Sequence, residues 1–329
     1  MSYNYDNIIS CLQAVNVWYI FGHENPDGDS IGTTLAFYNF AKRIGKKAFI
    51  LSKNTPSDTY SFLPNFSDIL VSQTCPTIDE NSLLLICDTA NKARSLDNLE
   101  GLLHTTRSIA IDHHAGNENF ADINIVDVSA SATGEIAYNI LEAFNQGISQ
   151  DEALCLYTAI VTDCGNFTYS CTTSRTHEIT AKLLAIGVNP TLVNEALNKN
   201  MTYNMFIAWG LALMHTEIFC DGCVAVFYLT KSDFERSSVS PADLEGLASF
   251  IMRLKGVEIG LFLTERSDGI KLSIRSREPY SSREIASCFG GGGHACAAGA
   301  TLRYDFATAL SQVKEAVELY VARWNFTSI

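Results

Sequence analysis

In the N-terminal half of the chain, apolar residues gather in short unbroken runs: Val17-Trp18-Tyr19-Ile20-Phe21, Leu83-Leu84-Leu85-Ile86-Cys87 and Ser108-Ile109-Ala110-Ile111. Runs without polar alternation predict parallel strands covered on both faces. After the first run, the spacing predicts a helix over 30–44, with Ser30 as cap, Ile31, Leu35 and Phe40 among its apolar positions, and Gly45 at its end. Strands are expected near 47–51, 69–72, 82–87, 108–111 and 123–126, and helices near 133–145, 151–162 and 176–186. This βαβ order predicts a parallel sheet with right-handed crossovers.

The pattern changes at Gly187-Val188-Asn189-Pro190, where a helical stretch over 191–213 begins. The expected organisation is therefore a parallel-sheet α/β domain over 1–190, a helical linker over 191–213 and a smaller α/β domain over 214–329. In the smaller domain, strands are expected over 218–230, broken by a hairpin at Asp221-Gly222, and near 257–264 and 270–276. Helices are predicted to start at Ser240-Pro241-Ala242-Asp243 and at Ser281-Ser282-Arg283-Glu284, both with capping patterns. A last amphipathic helix is expected over 305–322.

Composition narrows the class. A chain of 329 residues with 47% apolar and 18% charged content can bury a large core and suggests about two domains. No apolar stretch reaches the roughly 20 residues that cross a bilayer, and residues 1–6 lack the pattern of a signal peptide. A cytoplasmic location away from membranes is expected. Most of the ten cysteines, Cys87, Cys155 and Cys288 among them, stand singly in apolar or helical patterns and read as small hydrophobes. Cys220 and Cys223 flank the Asp221-Gly222 turn and should face each other across a strand pair. With no second Cys or His pair nearby, zinc is disfavoured there. The net charge of −13 argues against duplex DNA and long polyanions. Bound divalent cations would reverse the local field, so a small phosphate ester still fits.

The candidate chemistry follows the apolar runs. His23-Glu24-Asn25-Pro26-Asp27-Gly28-Asp29, Asp88 and Asp112-His113-His114 each come just after one of them. That places all three clusters at carboxyl ends of strands, where an open α/β sheet builds its active site. Asp163, closing a helical pattern before Gly165, adds a further carboxylate. Carboxylates and imidazoles without thiolate suit manganese, with magnesium or cobalt as alternatives. Two such ions, roughly 3.5 to 4 Å apart, can activate a hydroxide and hold the oxygens of a phosphoryl displacement. Elsewhere, Gly290-Gly291-Gly292-Gly293-His294 suggests a backbone nest for an anion, with Ala297-Ala298-Gly299 packed behind it.

The set His23-x-x-x-Asp27-x-Asp29, Leu85-Ile86-Cys87-Asp88, Asp112-His113-His114, Thr162-Asp163-x-Gly165-x-Phe167 and Gly290 to His294 with Ala297-Ala298-Gly299 resembles the DHH phosphoesterase superfamily with its DHH-associated C-terminal domain. Within that superfamily the chain is most similar to the nanoRNase/pAp phosphatases, over nearly its whole length. The resemblance implies one ion on His23 and Asp27, another on Asp29, His113 and Asp163, and Asp88 bridging both. It also implies that His114 faces the substrate phosphate and that Asp112 orients the histidine pair. Ser273, Arg275, Ser276, Gly291, Gly292, Gly293 and His294 would contact substrate, in a cleft between the two domains. Arg277 and Arg283 read either as further substrate contacts or as surface charges. Tyr169 reads either as a base or ribose contact or as a core aromatic.

The implied activity is metal-dependent hydrolysis of short oligoribonucleotides to mononucleotides, and of 3′-phosphoadenosine 5′-phosphate to AMP, by a hydroxide that two metals activate. The alternatives are a phosphodiesterase for linear or cyclic dinucleotides and a noncatalytic nucleotide sensor. Expected partners are short single-stranded RNA or a small nucleotide, neither duplex DNA nor membrane, with a homodimer left open.

Overall fold

The computed structural model describes residues 5–74, 81–198, 201–240, 244 and 246–327. The chain divides into two compact units, Met1–Asn200 and Met201–Ile329. The division falls inside the helical stretch, between α7 (Pro190–Asn198) and α8 (Tyr203–Met214). No helix among the described residues is long and apolar enough to cross a membrane.

The first unit is built on six parallel strands: β1 (Val17–Phe21), β2 (Lys47–Ser52), β3 (Leu70–Val71), β4 (Ser82–Cys87), β5 (Arg107–Asp112) and β6 (Ile123–Val126). Their order in space is β3-β2-β1-β4-β5-β6, so the winding reverses between β1 and β4. Both faces of the sheet are covered, which explains the unbroken runs. In β1, Trp18 and Ile20 join the larger core with Leu35, Phe37 and Phe40, whereas Tyr19 and Phe21 pack on the opposite face with Leu84, Leu96 and Leu99. Phe37 and Phe40 are fully buried, and truncating either to alanine would cost about 3–5 kcal/mol.

The helices of this unit are α1 (Asp6–Ala14), α2 (Gly28–Arg43), α3 (Leu99–Leu103), α4 (Thr133–Ala143), α5 (Gln150–Asp163), α6 (Ser174–Ile186) and α7. The chain brings α2 and α5 unusually close. A Cβ at Gly32 would lie 2.5 Å from the Cys155 carbonyl, and one at Gly28 would lie 2.6 Å from Thr162 Cβ. Glycine at those positions therefore lets the start of α2 meet the end of α5. Ser30 is not the cap of α2: Asp27 is, its Oδ1 accepting the N–H groups of Asp29 and Ser30 at 3.1 Å each. A carboxylate three residues ahead of the serine took the capping position.

The second unit holds a mixed sheet of β7 (Glu217–Phe219), β8 (Val224–Leu229), β9 (Ile259–Arg266), β10 (Gly269–Ser276), β11 (Gly292–Gly293) and β12 (Ala297–Leu302), in the order β11-β12-β10-β9-β8-β7. Only β8 and β9 run parallel. Besides α8 it contains α9 (Lys231–Ser237), α10 (Leu247–Phe250), α11 (Ser282–Ser287) and α12 (Phe306–Thr327). Ala309, Val313, Val317 and Val321 form the buried stripe of α12 against one face of this sheet, while Ala208, Leu211 and Ala212 of α8 pack on the other. The helix start expected at Ser240-Pro241-Ala242-Asp243 runs onto residues 241–243, outside the described residues. Cys288 is exposed at the end of α11 rather than packed as a hydrophobe. Cys220 and Cys223 flank the hairpin turn as free thiols, with the Cys223 N–H donating to the Cys220 carbonyl at 3.1 Å.

Candidate metal centre

Strand ends deliver the first groups. The chain leaves β1 through Gly22 to His23, leaves β4 directly into Asp88, and leaves β5 through Asp112 into His113 and His114. β1 and β4 are the neighbours at which the sheet reverses its winding, the position where such sheets open a crevice. Asp88 takes φ 52°, a left-handed conformation uncommon for a residue with a side chain, and its N–H donates to the Ile111 carbonyl at 2.8 Å. That turn aims the Asp88 carboxylate back over the sheet edge.

There Asp88 meets two histidines. Its Oδ2 lies 3.5 Å from His23 Nε2 and its Oδ1 lies 3.8 Å from His113 Nε2. His23 Nε2 also lies 3.7 Å from Asp27 Oδ2. His113 Nε2 lies 3.3 Å from Asp163 Oδ2 and 3.9 Å from Asp29 Oδ2. Ligand-capable atoms therefore gather as His23, Asp27 and Asp88 on one side, and as Asp29, His113 and Asp163 on the other. A third combination, Asp88, His113 and His114, also lies within ligand range. His114 Nδ1 is engaged with Asp112 Oδ1 at 2.7 Å, however, which leaves Nε2 as its outward group.

Electrostatics show what this cluster needs. Asp29 is fully buried, and that burial, reinforced by the charges of Asp88, Asp163 and Asp27, holds its carboxyl well above the usual range. Burial likewise pushes Asp163 up to about 6, with nearby Asp88 and Asp27 adding to the rise and His113 opposing it. For His23, burial opposes the charge but hydrogen bonds to Asp27 and Asp88 outweigh it, pushing the imidazole up to about 9. Protons here stand in for missing positive charge. Divalent cations fit the same oxygen and imidazole donors without thiolate.

The supporting contacts are specific. Asp29 accepts the backbone N–H of Thr133 at 2.6 Å and that of Gly134 at 2.9 Å, at the start of α4, and the Thr33 hydroxyl at 3.1 Å. A helix N-terminus thus holds a buried carboxylate in place. His113 Nδ1 lies 3.3 Å from the Ala130 carbonyl, which directs Nε2 to the carboxylates. Asp112 is fully buried: Oδ1 accepts the N–H groups of His113 and His114, and Oδ2 accepts Asn117 Nδ2 at 2.6 Å. Thr33, Asn117, Ala130, Thr133 and Gly134 escaped the reading of the sequence because most act through backbone groups or as single small polar residues.

After Asp163 the chain turns through Gly165, Asn166 and Phe167, all at positive φ. Tyr169 folds back over Gly165, where a Cβ would lie 2.5 Å from its ring, and is 61% exposed. The core reading of Tyr169 therefore falls.

In the second unit, β10 alternates strictly, so Ser273 and Arg275 share its outer face while Ser276 points to the buried one. Arg275 Nε donates to Ser249 Oγ at 3.1 Å. Ser276 is 5% exposed, and its hydroxyl lies 2.8 Å from Ser282 Oγ and 3.0 Å from the Tyr280 carbonyl. In this position it knits β10 to the start of α11. Arg277 donates to the Met252 carbonyl at 2.7 Å and Arg283 to the Gly293 carbonyl at 2.5 Å, so neither is a free surface charge. The glycines form a short hairpin rather than an open nest, with Gly292 opposite Gly299 and Gly293 opposite Ala298. A Cβ at Gly291 would lie 2.2 Å from the Gly299 carbonyl, so only glycine permits this approach. His294 is exposed at the tip, its N–H donating to the Ala297 carbonyl at 2.8 Å.

Comparison with known proteins agrees with this architecture. The model of the DHH family N-terminal domain matches residues 18–160, and that of the DHHA1 domain matches residues 221–323. The bifunctional oligoribonuclease and PAP phosphatase NrnA of Thermus thermophilus is 30% identical over 310 residues, covering 94% of this chain and 91% of its own. The chain belongs to the DHH family.

An exopolyphosphatase-related protein from Bacteroides fragilis, whose crystal structure is known, superimposes with a TM-score of 0.84 at 25% identity, over 96% of each chain. The cyclic-di-AMP phosphodiesterase PdeA of Listeria monocytogenes is 28% identical over 92% of this chain, but only 47% of its own length takes part. The matched DHH region contains His23, Asp27, Asp29, Asp88, Asp112, His113 and His114, whereas Asp163 lies three residues past its end. The matched DHHA1 region contains Ser273, Arg275 and the whole glycine hairpin.

Proposed function

We propose that this DHH-family chain is a divalent-metal-dependent phosphoesterase that hydrolyses short oligoribonucleotides to mononucleotides and 3′-phosphoadenosine 5′-phosphate to AMP. One observation carries the reading: two sets of ligand atoms, one from His23, Asp27 and Asp88 and the other from Asp29, His113 and Asp163, meet where the sheet reverses, with Asp88 Oδ1 of the first 3.8 Å from His113 Nε2 of the second. The name of the Thermus relative, spanning nearly the same length, supports this substrate class.

In this reading His23 and Asp27 would hold one cation and Asp29, His113 and Asp163 another, with Asp88 available to either. Manganese is the ion we favour. When bound, the pair supplies Lewis acidity toward phosphate oxygens and a nucleophilic water at neutral pH. The protein's own groups do the rest. Asp112 holds the His114 ring through Nδ1 and, by that hydrogen bond, raises the pKa of the imidazole. His114 Nε2 is thereby directed outward as a donor for a phosphate oxygen whose negative charge grows in the transition state. For Asp27, burial opposes the charge, but the hydrogen bond to His23, joined by those to the first turn of α2, outweighs it and lowers the carboxyl below its ordinary value. Ser273, Arg275 and His294 are our candidates for binding the remainder of the substrate, with Gly291, Gly292 and Gly293 giving close backbone approach. The acidic charge favours a short substrate over a long polyanion.

A second reading, hydrolysis of linear or cyclic dinucleotides, draws on the Listeria relative. Purified protein with manganese, incubated separately with pAp, pApA, cyclic di-AMP, pyrophosphate, a short RNA and a long single-stranded DNA, separates the two. Turnover of short RNA and pAp supports the first reading, and preference for cyclic di-AMP supports the second. Binding of these ligands without turnover would identify a sensor and overturn both.

A further inference from the structure

Ser30 lost its expected role as helix cap to Asp27, which leaves its hydroxyl to be explained. The residue is 1% exposed, and its Oγ has no hydrogen-bond partner. His23 Nδ1 is in the same condition, buried and unpartnered, while Nε2 of that ring points to Asp27 and Asp88. Orphaned polar atoms are rare in protein interiors, and two of them on residues of one cavity ask for a common partner.

Both residues line one small cavity, with Gly22, Thr34 and Ser52 among otherwise apolar neighbours such as Ile31 and Ile50. The cavity leaves about 10 Å³ for the centre of a water molecule, enough for a single water with polar neighbours. Gly22 makes the arrangement feasible. A Cβ there would lie 2.0 Å from Ser30 Oγ, so the residue just ahead of His23 must be glycine for the hydroxyl to sit where it does.

We propose that Ser30 is a positioning residue for the metal centre, holding the His23 ring through one buried water that accepts from Nδ1–H and donates to Ser30 Oγ. An imidazole ligates through an unprotonated nitrogen, so its proton must rest on the other nitrogen, and there it requires an acceptor. For His113 that acceptor is the Ala130 carbonyl at 3.3 Å. For His23 no such acceptor stands among the described residues, and a water in the cavity beside Ser30 would complete the same arrangement. The inference rests on the two-ion reading above and adds to it a specific support for the ion that His23 shares with Asp27 and Asp88.

The test is a manganese titration of the full chain, following free ion by electron paramagnetic resonance, for the wild type, Ser30→Ala and Gly22→Ala. Circular dichroism checks that each variant is folded. The wild type should bind two ions. Each variant should hold one of them unchanged and bind the other about 10-fold to 100-fold more weakly, the usual effect of losing an outer partner of a ligand. Nitrogen-15 spectra of the magnesium-loaded wild type should show a slowly exchanging His23 Nδ1 proton, and Ser30→Ala should lose its protection. Two wild-type affinities in folded Ser30→Ala, or an unprotected Nδ1 proton in the wild type, would overturn the role of Ser30 and leave the two-ion reading standing. A wild-type chain that binds no manganese would sink both.

Discussion

His23 Nε2 and Asp88 Oδ2 lie 3.5 Å apart, joining the ends of β1 and β4 across the point where the sheet reverses. Asp88 Oδ1 also lies 3.8 Å from His113 Nε2, so this carboxylate reaches toward both halves of the proposed centre. Asp88→Asn should lower the turnover number for pAp and short RNA by roughly a thousandfold, equivalent to about 4 kcal/mol of lost transition-state stabilisation. Asparagine tolerates the left-handed backbone at this position as well as aspartate does, so the variant tests charge rather than the turn. Steady-state kinetics on a variant shown to be folded checks the prediction, and a rate within tenfold of wild type would contradict it.

Asp112 and His114 give a milder prediction. Asp112→Asn keeps one acceptor oxygen but removes the charge that raises the His114 pKa. The imidazole should then titrate closer to its ordinary value, and turnover should fall about 10-fold to 100-fold, as for other partners that orient a reactive group. A pH titration followed by histidine NMR, alongside the pH profile of the rate, measures both effects.

Proton linkage supplies a third prediction. His23, pushed up to about 9, and Asp163, pushed up to about 6, both bind protons more tightly in the folded metal-free chain than in the unfolded one. The Asp163 contribution to stability is complete below about pH 4 and is lost as pH rises through about 6. That of His23 is complete below about 6.5 and is lost by about 9. The metal-free chain should therefore lose stability across this window, and manganese, which displaces those protons, should stabilise it more at pH 8 than at pH 6. Thermal unfolding with and without manganese tests this, and calorimetry in buffers of different ionisation enthalpy should detect proton release on binding at pH 7.

Neighbours on β10 should behave differently. Ser276→Ala removes a buried hydroxyl bonded to Ser282 and the Tyr280 carbonyl and should lower stability by about 1–3 kcal/mol, with little change in KM. Arg275→Ala, on the outer face, should raise KM for short RNA about tenfold and leave the unfolding midpoint nearly unchanged. Denaturant unfolding together with kinetics separates the two.

What the sequence revealed follows from what each element is made of. Strands β1, β4 and β5 were legible because burial on both faces leaves unbroken apolar runs, and the ligands stood out because several like groups follow such runs. β12 was hidden: its inward residues Ala298 and Ala300 are small, so its alternation with Leu302 gave a weak signal. α1, α3 and α9 went unread because each is a short helix that spans too few turns to show a clear apolar period. The glycine segment was read as an open nest because sequence shows conformational freedom but not the partner strand that uses it. Ser276 was grouped with Ser273 and Arg275 by proximity along the chain, although a strand turns successive side chains to opposite faces. The grip of Thr133 and Gly134 on Asp29 consists of backbone N–H groups, which no residue type announces.

Anomalous diffraction at the manganese edge, from crystals soaked at neutral pH, tests the central claim most directly. The account predicts two peaks on either side of the Asp88 carboxylate, one beside His23 and Asp27 and the other beside Asp29, His113 and Asp163. No peak at this cluster, or ions only at other surfaces of the chain, would contradict it.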